Sequence, residues 1–182
     1  MGQATLTISS KNYSSWSLRG WLVCKMAGLE FNETMVDLSD ASARQELLLL
    51  SPSVLVPRLT HERPAGTVEV WDTLAIAEYL HEIFPDAGLF PADIALRAQC
   101  RAVAGEMHSG FYNLRSALPM NLKARHESFK IFSGARPDVE RVKAIWLECL
   151  ATHGGPFLFG ATPTVADAMY APVCTRFRTY SV

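Results

Sequence analysis

The 182 residues predict an α/β domain followed by an all-α domain. Three observations lead there. Short β-prone runs alternate with helical periodicity up to residue 84, a segment rich in Pro and Gly follows at 85–93, and every pattern from 94 onward is helical.

The elements of the first domain follow in order. Thr5 to Ser9 is a short β-prone run. Ser15 to Ala27 then places Leu18, Trp21, Leu22 and Met26 at helical spacing, with Gly28 where the residue after a helix is commonly glycine. Phe31 to Asp37 reads as a second strand. Ala41 to Leu50 has helix-forming composition and is stopped by Ser51-Pro52. Two further β-prone runs, Arg58 to Glu62 and Val68 to Trp71, flank Arg63-Pro64-Ala65-Gly66, whose chemistry suits a hairpin turn. From Asp72, Leu74, Ile76, Ala77, Leu80, Ile83 and Phe84 form one apolar face, and Asp72 or Thr73 can cap its start. The order is βαβαββα, with parallel and antiparallel pairs in one sheet.

The second domain, 94–182, predicts one helix from 94 to about 118, another from Asp138 to His153, and a third from Thr164 to about Phe177. The last opens on Thr164-Val165-Ala166-Asp167, a capping-box pattern. Asn121 to Pro137 is weakly patterned and is expected to be partly loop.

Composition narrows the chemistry. With 49% apolar and 19% charged side chains the chain can bury a core, and 17 basic against 18 acidic residues give no global positive field of the kind that nucleic-acid binding uses. No apolar run reaches the roughly 18 residues of a membrane helix, and the N-terminus lacks a secretory pattern, so a cytoplasmic protein without a membrane or nucleic-acid partner is expected. Cys24, Cys100, Cys149 and Cys174 are widely spaced, with no C-x-x-C and no histidine at ligand spacing, so no metal site is expected. Gly155 to Thr162 imitates a phosphate loop, but Ala161 stands where the lysine is required.

The segment Lys11-Asn12-Tyr13-Ser14-Ser15-Trp16-Ser17-Leu18-Arg19 enters the first helix, where unpaired N–H groups and the helix dipole favour an anion. On local grounds Ser14 or Ser15 is a plain N-cap. Set beside Ser51-Pro52, Val56-Pro57, Asp72-Thr73-Leu74-Ala75-Ile76-Ala77-Glu78-Tyr79-Leu80, Phe157-Leu158-Phe159-Gly160 and Thr164-Val165-Ala166-Asp167-Ala168, it resembles the glutathione transferase family over essentially the whole chain.

That resemblance implies a thioredoxin-like, glutathione-binding domain at 1–84, a linker at 85–93 and a helical domain at 94–182. Glutathione is then a co-substrate and the second substrate a small electrophile. Pro57 would be cis, and Val56 would offer its backbone to the cysteinyl part of the tripeptide. Thr73 would receive the γ-glutamyl carboxylate and Asp72 would face the ammonium group. Ser15, or failing it Ser14, would donate a hydrogen bond to the sulfur, with Trp16 near the thiol. A free thiol of pKa about 8.5 is roughly 3% ionised at pH 7, and lowering it by about two units takes roughly 2.7 kcal/mol. A hydrogen bond to a charged group at about 1.5–3 kcal/mol, with a helix terminus at about 0.3–1, supplies that.

The electrophile pocket is expected between the domains, from Tyr13 and from Met107, His108, Phe111, Tyr112 and Arg115 on the fourth helix; these residue types at helical spacing also fit plain core. The resemblance further implies a homodimer. Two departures stand out. Val54-Leu55 occupies the place where the family often has Gly-Lys, so the basic contact to the glycyl carboxylate falls to Arg44 or Lys11 or is lost. Relatives also continue with further helices, so ending at Val182 is expected to leave apolar surface on the second domain uncovered. Two alternatives accompany the transferase reading: a glutathione-dependent cis–trans isomerase of the maleylacetoacetate type, and a non-catalytic transferase-like assembly module.

Overall fold

The computed structural model describes residues 2–37, 39–40 and 55–182. Two compact units emerge, Met1–Ala87 and Gly88–Val182, and the division falls inside the Pro/Gly segment. Each unit is taken by itself below.

The first unit holds β1 (Ala4–Ile8), α1 (Ser15–Met26), β2 (Asn32–Met35), β3 (Arg58–Arg63), β4 (Gly66–Val70) and α2 (Thr73–Ile83). The strands form one sheet of order β2-β1-β3-β4. β1 and β2 run parallel, and the other two pairs are antiparallel, so the sheet is mixed as expected. The expected helix Ala41–Leu50, with Ser51, Pro52, Val54 and Arg44, lies outside the described residues.

Register places the functional end of the sheet. Leu6 sits opposite Leu59, and both are fully buried. His61, two residues on, meets the Tyr79 hydroxyl of α2 through Nδ1 at 2.8 Å, which fixes that face toward the helices. By strand alternation Arg58 and Thr60 lie on the opposite face. α1 ends at Met26 with Ala27 as its C-cap, and Gly28 follows at φ 72°, the left-handed position anticipated for it.

The second unit holds α3 (Ile94–Ser109), α4 (Tyr112–Ala117), α5 (Arg136–His153) and α6 (Val165–Tyr180). Its core is built from Cys100, Ala104, Met107, Leu114, Val142, Ile145, Val165 and Met169. The single helix expected from 94 to about 118 is two helices. Ser109 turns its hydroxyl back onto the Gly105 carbonyl at 3.0 Å, and Phe111 adopts φ 59°, ψ 37°. Gly110 lies so close over the chain that a Cβ there would stand 2.7 Å from the Glu106 carbonyl oxygen, so the helix ends where only glycine fits. Between Leu118 and Ser133 no regular element occurs.

At the entrance to α6, the Asp167 carboxylate accepts from the Thr164 N–H at 2.7 Å, the Thr164 hydroxyl at 3.0 Å and the Leu158 N–H at 2.9 Å. Capping and loop closure thus share one side chain. Further along α6, the buried Arg176 guanidinium donates to the Arg115 and Leu118 carbonyls at 2.9 and 2.6 Å, closing the C-terminal end of α4. Among the described residues, no helix is long and apolar enough to cross a membrane.

Candidate functional site

The site is built at the C-terminal end of β1, where the chain turns into α1. Ser14 is the N-cap of α1: its Oγ accepts from the Ser17 N–H at 3.3 Å and donates to the Ser17 hydroxyl at 2.9 Å. The same Ser17 oxygen accepts from the Ser9 N–H at 3.0 Å. Three serines therefore form one connected cluster. The first turn of α1 carries no acidic residue, so nothing offsets the positive end of its dipole.

Beside this cluster opens a groove of about 620 Å³, bordered by Ser9, Ser10, Tyr13, Ser14, Val36 and Asp37 among the described residues. Ser14 is half-buried and borders it; Ser15, the first residue inside α1, is 8% exposed. Tyr13 is 62% exposed at the groove rim. Trp16 is half-buried, with the Arg19 guanidinium 4.6 Å above its ring.

The Val56–Pro57 peptide bond is cis, as expected, and so is Trp71–Asp72, which the sequence did not signal. Val56 is half-buried. Pro57 presses on α1: a Cβ on Gly20 would come within 2.5 Å of the Pro57 ring. Gly20 is thus the residue that lets the bend and the helix meet, and sequence reading missed it because the contact spans 37 positions.

At the start of α2, Asp72 is the cap. Its Oδ1 accepts from the Leu74 and Ala75 N–H groups at 3.0 and 3.2 Å. Thr73 is fully buried, and its hydroxyl has no hydrogen-bond partner among the described residues. Leaving such a donor unpaired costs roughly 1–3 kcal/mol, so this helix end holds unspent hydrogen-bonding capacity.

Lys11, a candidate for the glycyl carboxylate, is instead committed to Glu33 at 2.5 Å. Hydrogen bonding from Lys11, and then from the Trp21 indole at 2.8 Å, holds the Glu33 carboxyl below its ordinary range. The other expected pocket residues do not share one helix. His108 is half-buried on α3, Tyr112 is 73% exposed on α4, and Phe111 is buried between them, packed edge-on against Tyr170 at 6.3 Å. The break at Gly110–Phe111 gives Phe111 a core role and takes Tyr112 and Arg115 off the axis of Met107 and His108.

Comparison with known families decides what this arrangement belongs to. Residues 13–83 match the model of the glutathione S-transferase N-terminal domain, and residues 125–182 match that of the C-terminal domain. The chain belongs to the glutathione S-transferase family. It is 31% identical over 162 residues to a probable maleylacetoacetate isomerase of Caenorhabditis elegans, covering 87% of this chain and 72% of that one. It is 28% identical over 169 residues to glutathione S-transferase 1 of Dianthus caryophyllus, covering 92% and 75%. Among solved structures, maleylacetoacetate isomerase from Anaeromyxobacter dehalogenans with bound GSH superimposes with a TM-score of 0.70 at 26% identity, over 100% of this chain and 85% of that one. In this family member, Ser14 at the groove and the cis Val56–Pro57 bend both lie within the matched residues 13–83. Among the described residues, no group of three or more His, Cys, Asp or Glu could hold a metal ion.

Proposed function

We propose that this glutathione S-transferase binds glutathione along the Val56–Pro57 bend, holds its sulfur as thiolate with the Ser14 hydroxyl, and joins that sulfur to a small electrophile. The observation that carries the proposal is the Ser14 N-cap, half-buried at the groove and at the positive end of α1. Both serines are candidates, with Ser15 preferred on sequence; Ser14 borders the groove and Ser15 is not among its lining residues, which supports Ser14 as the sulfur contact.

The energetics favour the exchange. To reach the sulfur, the Ser14 hydrogen leaves Ser17, giving up a neutral hydrogen bond of about 0.5–1.5 kcal/mol for a charge-assisted one of about 1.5–3 kcal/mol. Ser17 keeps the Ser9 N–H as its donor, so the cluster stays connected. The unpaired Thr73 hydroxyl and the α2 N-terminus suit the γ-glutamyl carboxylate, while Asp72 Oδ1 caps the helix. Trp16 flanks the thiol, and Tyr13 and His108 are the remaining candidates for contact with the electrophile. The protein works in the cytoplasm as a homodimer, the commonest assembly of such enzymes.

Ser14→Ala is expected to raise the pKa of bound glutathione by about one to two units and to slow conjugation at pH 7 by roughly tenfold to fiftyfold. Ser15→Ala should stay within about twofold. Ultraviolet titration of the thiolate and conjugation to an activated aryl chloride measure both. Unchanged values in both variants would remove the mechanism.

A second reading is favoured by the two isomerases among the relatives. In it the thiolate adds to a cis-enone acid, the new single bond rotates, and elimination returns glutathione with the double bond trans. Turnover of a maleyl ketone acid without glutathione consumption identifies that chemistry. Absence of glutathione binding in calorimetry would leave the non-catalytic assembly reading.

A further inference from the structure

A buried imidazole normally uses both ring nitrogens, because a polar atom taken out of water without a partner costs free energy. His61 uses one. It lies in β3 at 4% exposure, with Nδ1 2.8 Å from the Tyr79 hydroxyl, and its buried Nε2 has no hydrogen-bond partner among the described residues. The Tyr79 hydroxyl has no other acceptor among the described residues, so the pair is complete when that hydroxyl donates to Nδ1, which leaves the ring hydrogen on Nε2. Burial, and then the charge of Arg63, hold the imidazole below its ordinary value, so the ring is neutral at pH 7.

The same histidine borders a cavity of about 200 Å³, together with Gly2, Arg63, Pro64, Ile83 and Phe84. None of these residues lines the serine groove. The cavity stands at the end of β3 opposite the Val56–Pro57 bend, beside the C-terminal end of α2. Arg63 is two residues beyond His61 and so on the same face of the strand, and its partner in register is Gly66, which has no side chain to cover it. The Arg63 guanidinium has neither a hydrogen bond nor an ion pair among the described residues. The wall at Gly2 is held in place by the Glu62 N–H, which donates to the Gln3 carbonyl at 2.9 Å.

We propose that this cavity binds a small organic carboxylate with an apolar body, at a site separate from the glutathione groove. The polar side chains of the lining are His61 and Arg63, and in the tautomer above both are donors. A lining with donors and no side-chain acceptor matches a ligand that accepts, and beside an unpaired guanidinium that ligand is an anion. Pro64, Ile83 and Phe84 supply the apolar wall. An apolar cavity of about 150 Å³ takes up benzene, so one of about 200 Å³ has room for a ring that bears a carboxyl. The two residues stand about 7 Å apart along the strand, a gap that the long arginine side chain closes. One carboxylate oxygen then accepts from Nε2–H and the other from the guanidinium, and the unpaired imidazole hydrogen gains its partner. The inference is independent of the glutathione reading.

Calorimetry and imidazole nitrogen NMR on the full chain test this, with benzoate as the probe and benzyl alcohol as its uncharged counterpart. The His61 signal, assigned by its loss in His61→Gln, should show Nε2 protonated and Nδ1 bare, and benzoate should shift it. Benzoate is expected to bind at least tenfold more tightly than benzyl alcohol. Arg63 is exposed, so Arg63→Gln should fold like wild type and keeps the test open if His61→Gln does not fold. It should weaken benzoate about tenfold and leave benzyl alcohol within about twofold. Saturating glutathione should leave benzoate binding unchanged. A ring protonated at Nδ1, no benzoate binding, equal binding of the two probes, unaltered benzoate affinity in Arg63→Gln, or displacement of benzoate by glutathione would each overturn the proposal.

Discussion

Arg58 in the sheet unit and Arg176 in the helical unit are both buried, and they are treated in different ways. Arg176 in the helical unit donates through Nη1 to two backbone carbonyls at 2.9 and 2.6 Å, while Nε and Nη1 of Arg58 in the sheet unit have no hydrogen-bond partner among the described residues. The contrast extends to the neighbouring hydroxyls. Thr179 reaches the Asn121 carbonyl at 3.1 Å and Tyr180 the Pro119 carbonyl at 3.0 Å, whereas the Thr73 hydroxyl, fully buried, has no partner among the described residues. In the helical unit these groups hold the unit's own chain, although the buried Trp146 indole Nε1 is also left without a hydrogen-bond partner among the described residues, and in either unit an unpaired buried donor is a cost that the protein carries.

The largest effect should come from breaking the satisfied side of this contrast. Burial, and then the neighbouring Arg115, pull the Arg176 guanidinium down to about 10, so it is still charged at neutral pH. Arg176→Met removes two charge-assisted hydrogen bonds and strands two carbonyls, and should cost about 3 kcal/mol in urea unfolding followed through the helical signal. A cost near zero would mean that the two arginines are equivalent after all.

Next in size is Asp167→Ala, which unties Leu158 and Thr164 together and should cost about 2 kcal/mol. Glutathione binding is expected to stay within about threefold, since the change lies in the other unit. A large loss of affinity at unchanged stability would show that the division of labour between the units is false. In the sheet unit, Gly20→Ala places a methyl within 2.5 Å of the Pro57 ring and should cost about 1–3 kcal/mol by overpacking. It should weaken glutathione binding at the same time, because the ring that must yield belongs to the bend.

Most of the fold was legible because it depends on local chemistry. The hairpin at Arg63–Gly66, the left-handed Gly28 and the Thr164–Asp167 cap each declare themselves within a few residues. The break at Gly110–Phe111 was not legible, because an alanine-rich pattern continues through it and only the approach to the Glu106 carbonyl forbids a side chain. The residues proposed for the site, Ser14, Val56, Pro57, Asp72 and Thr73, come from their order along the chain. Gly20 was missed because its importance comes from a ring 37 positions away, which no local sequence pattern displays.

The smallest effect tests the sheet unit's surface. Lys11 and then Trp21 hold the Glu33 carboxyl below its ordinary range, so its stabilising contribution is present above the usual carboxylate pKa of about 4.3 and fades as pH falls through the lower folded value. An exposed pair of this kind is worth about 0.2–1 kcal/mol. Glu33→Gln should therefore lower stability by less than about 1 kcal/mol at pH 7, and the difference from wild type should shrink toward zero near pH 3 and in about 1 M salt. A loss of several kcal/mol at pH 7, independent of salt, would mean that this unit too is held by committed polar contacts. The open hydrogen bonds at Arg58 and Thr73 would then be exceptions within it rather than its organising feature.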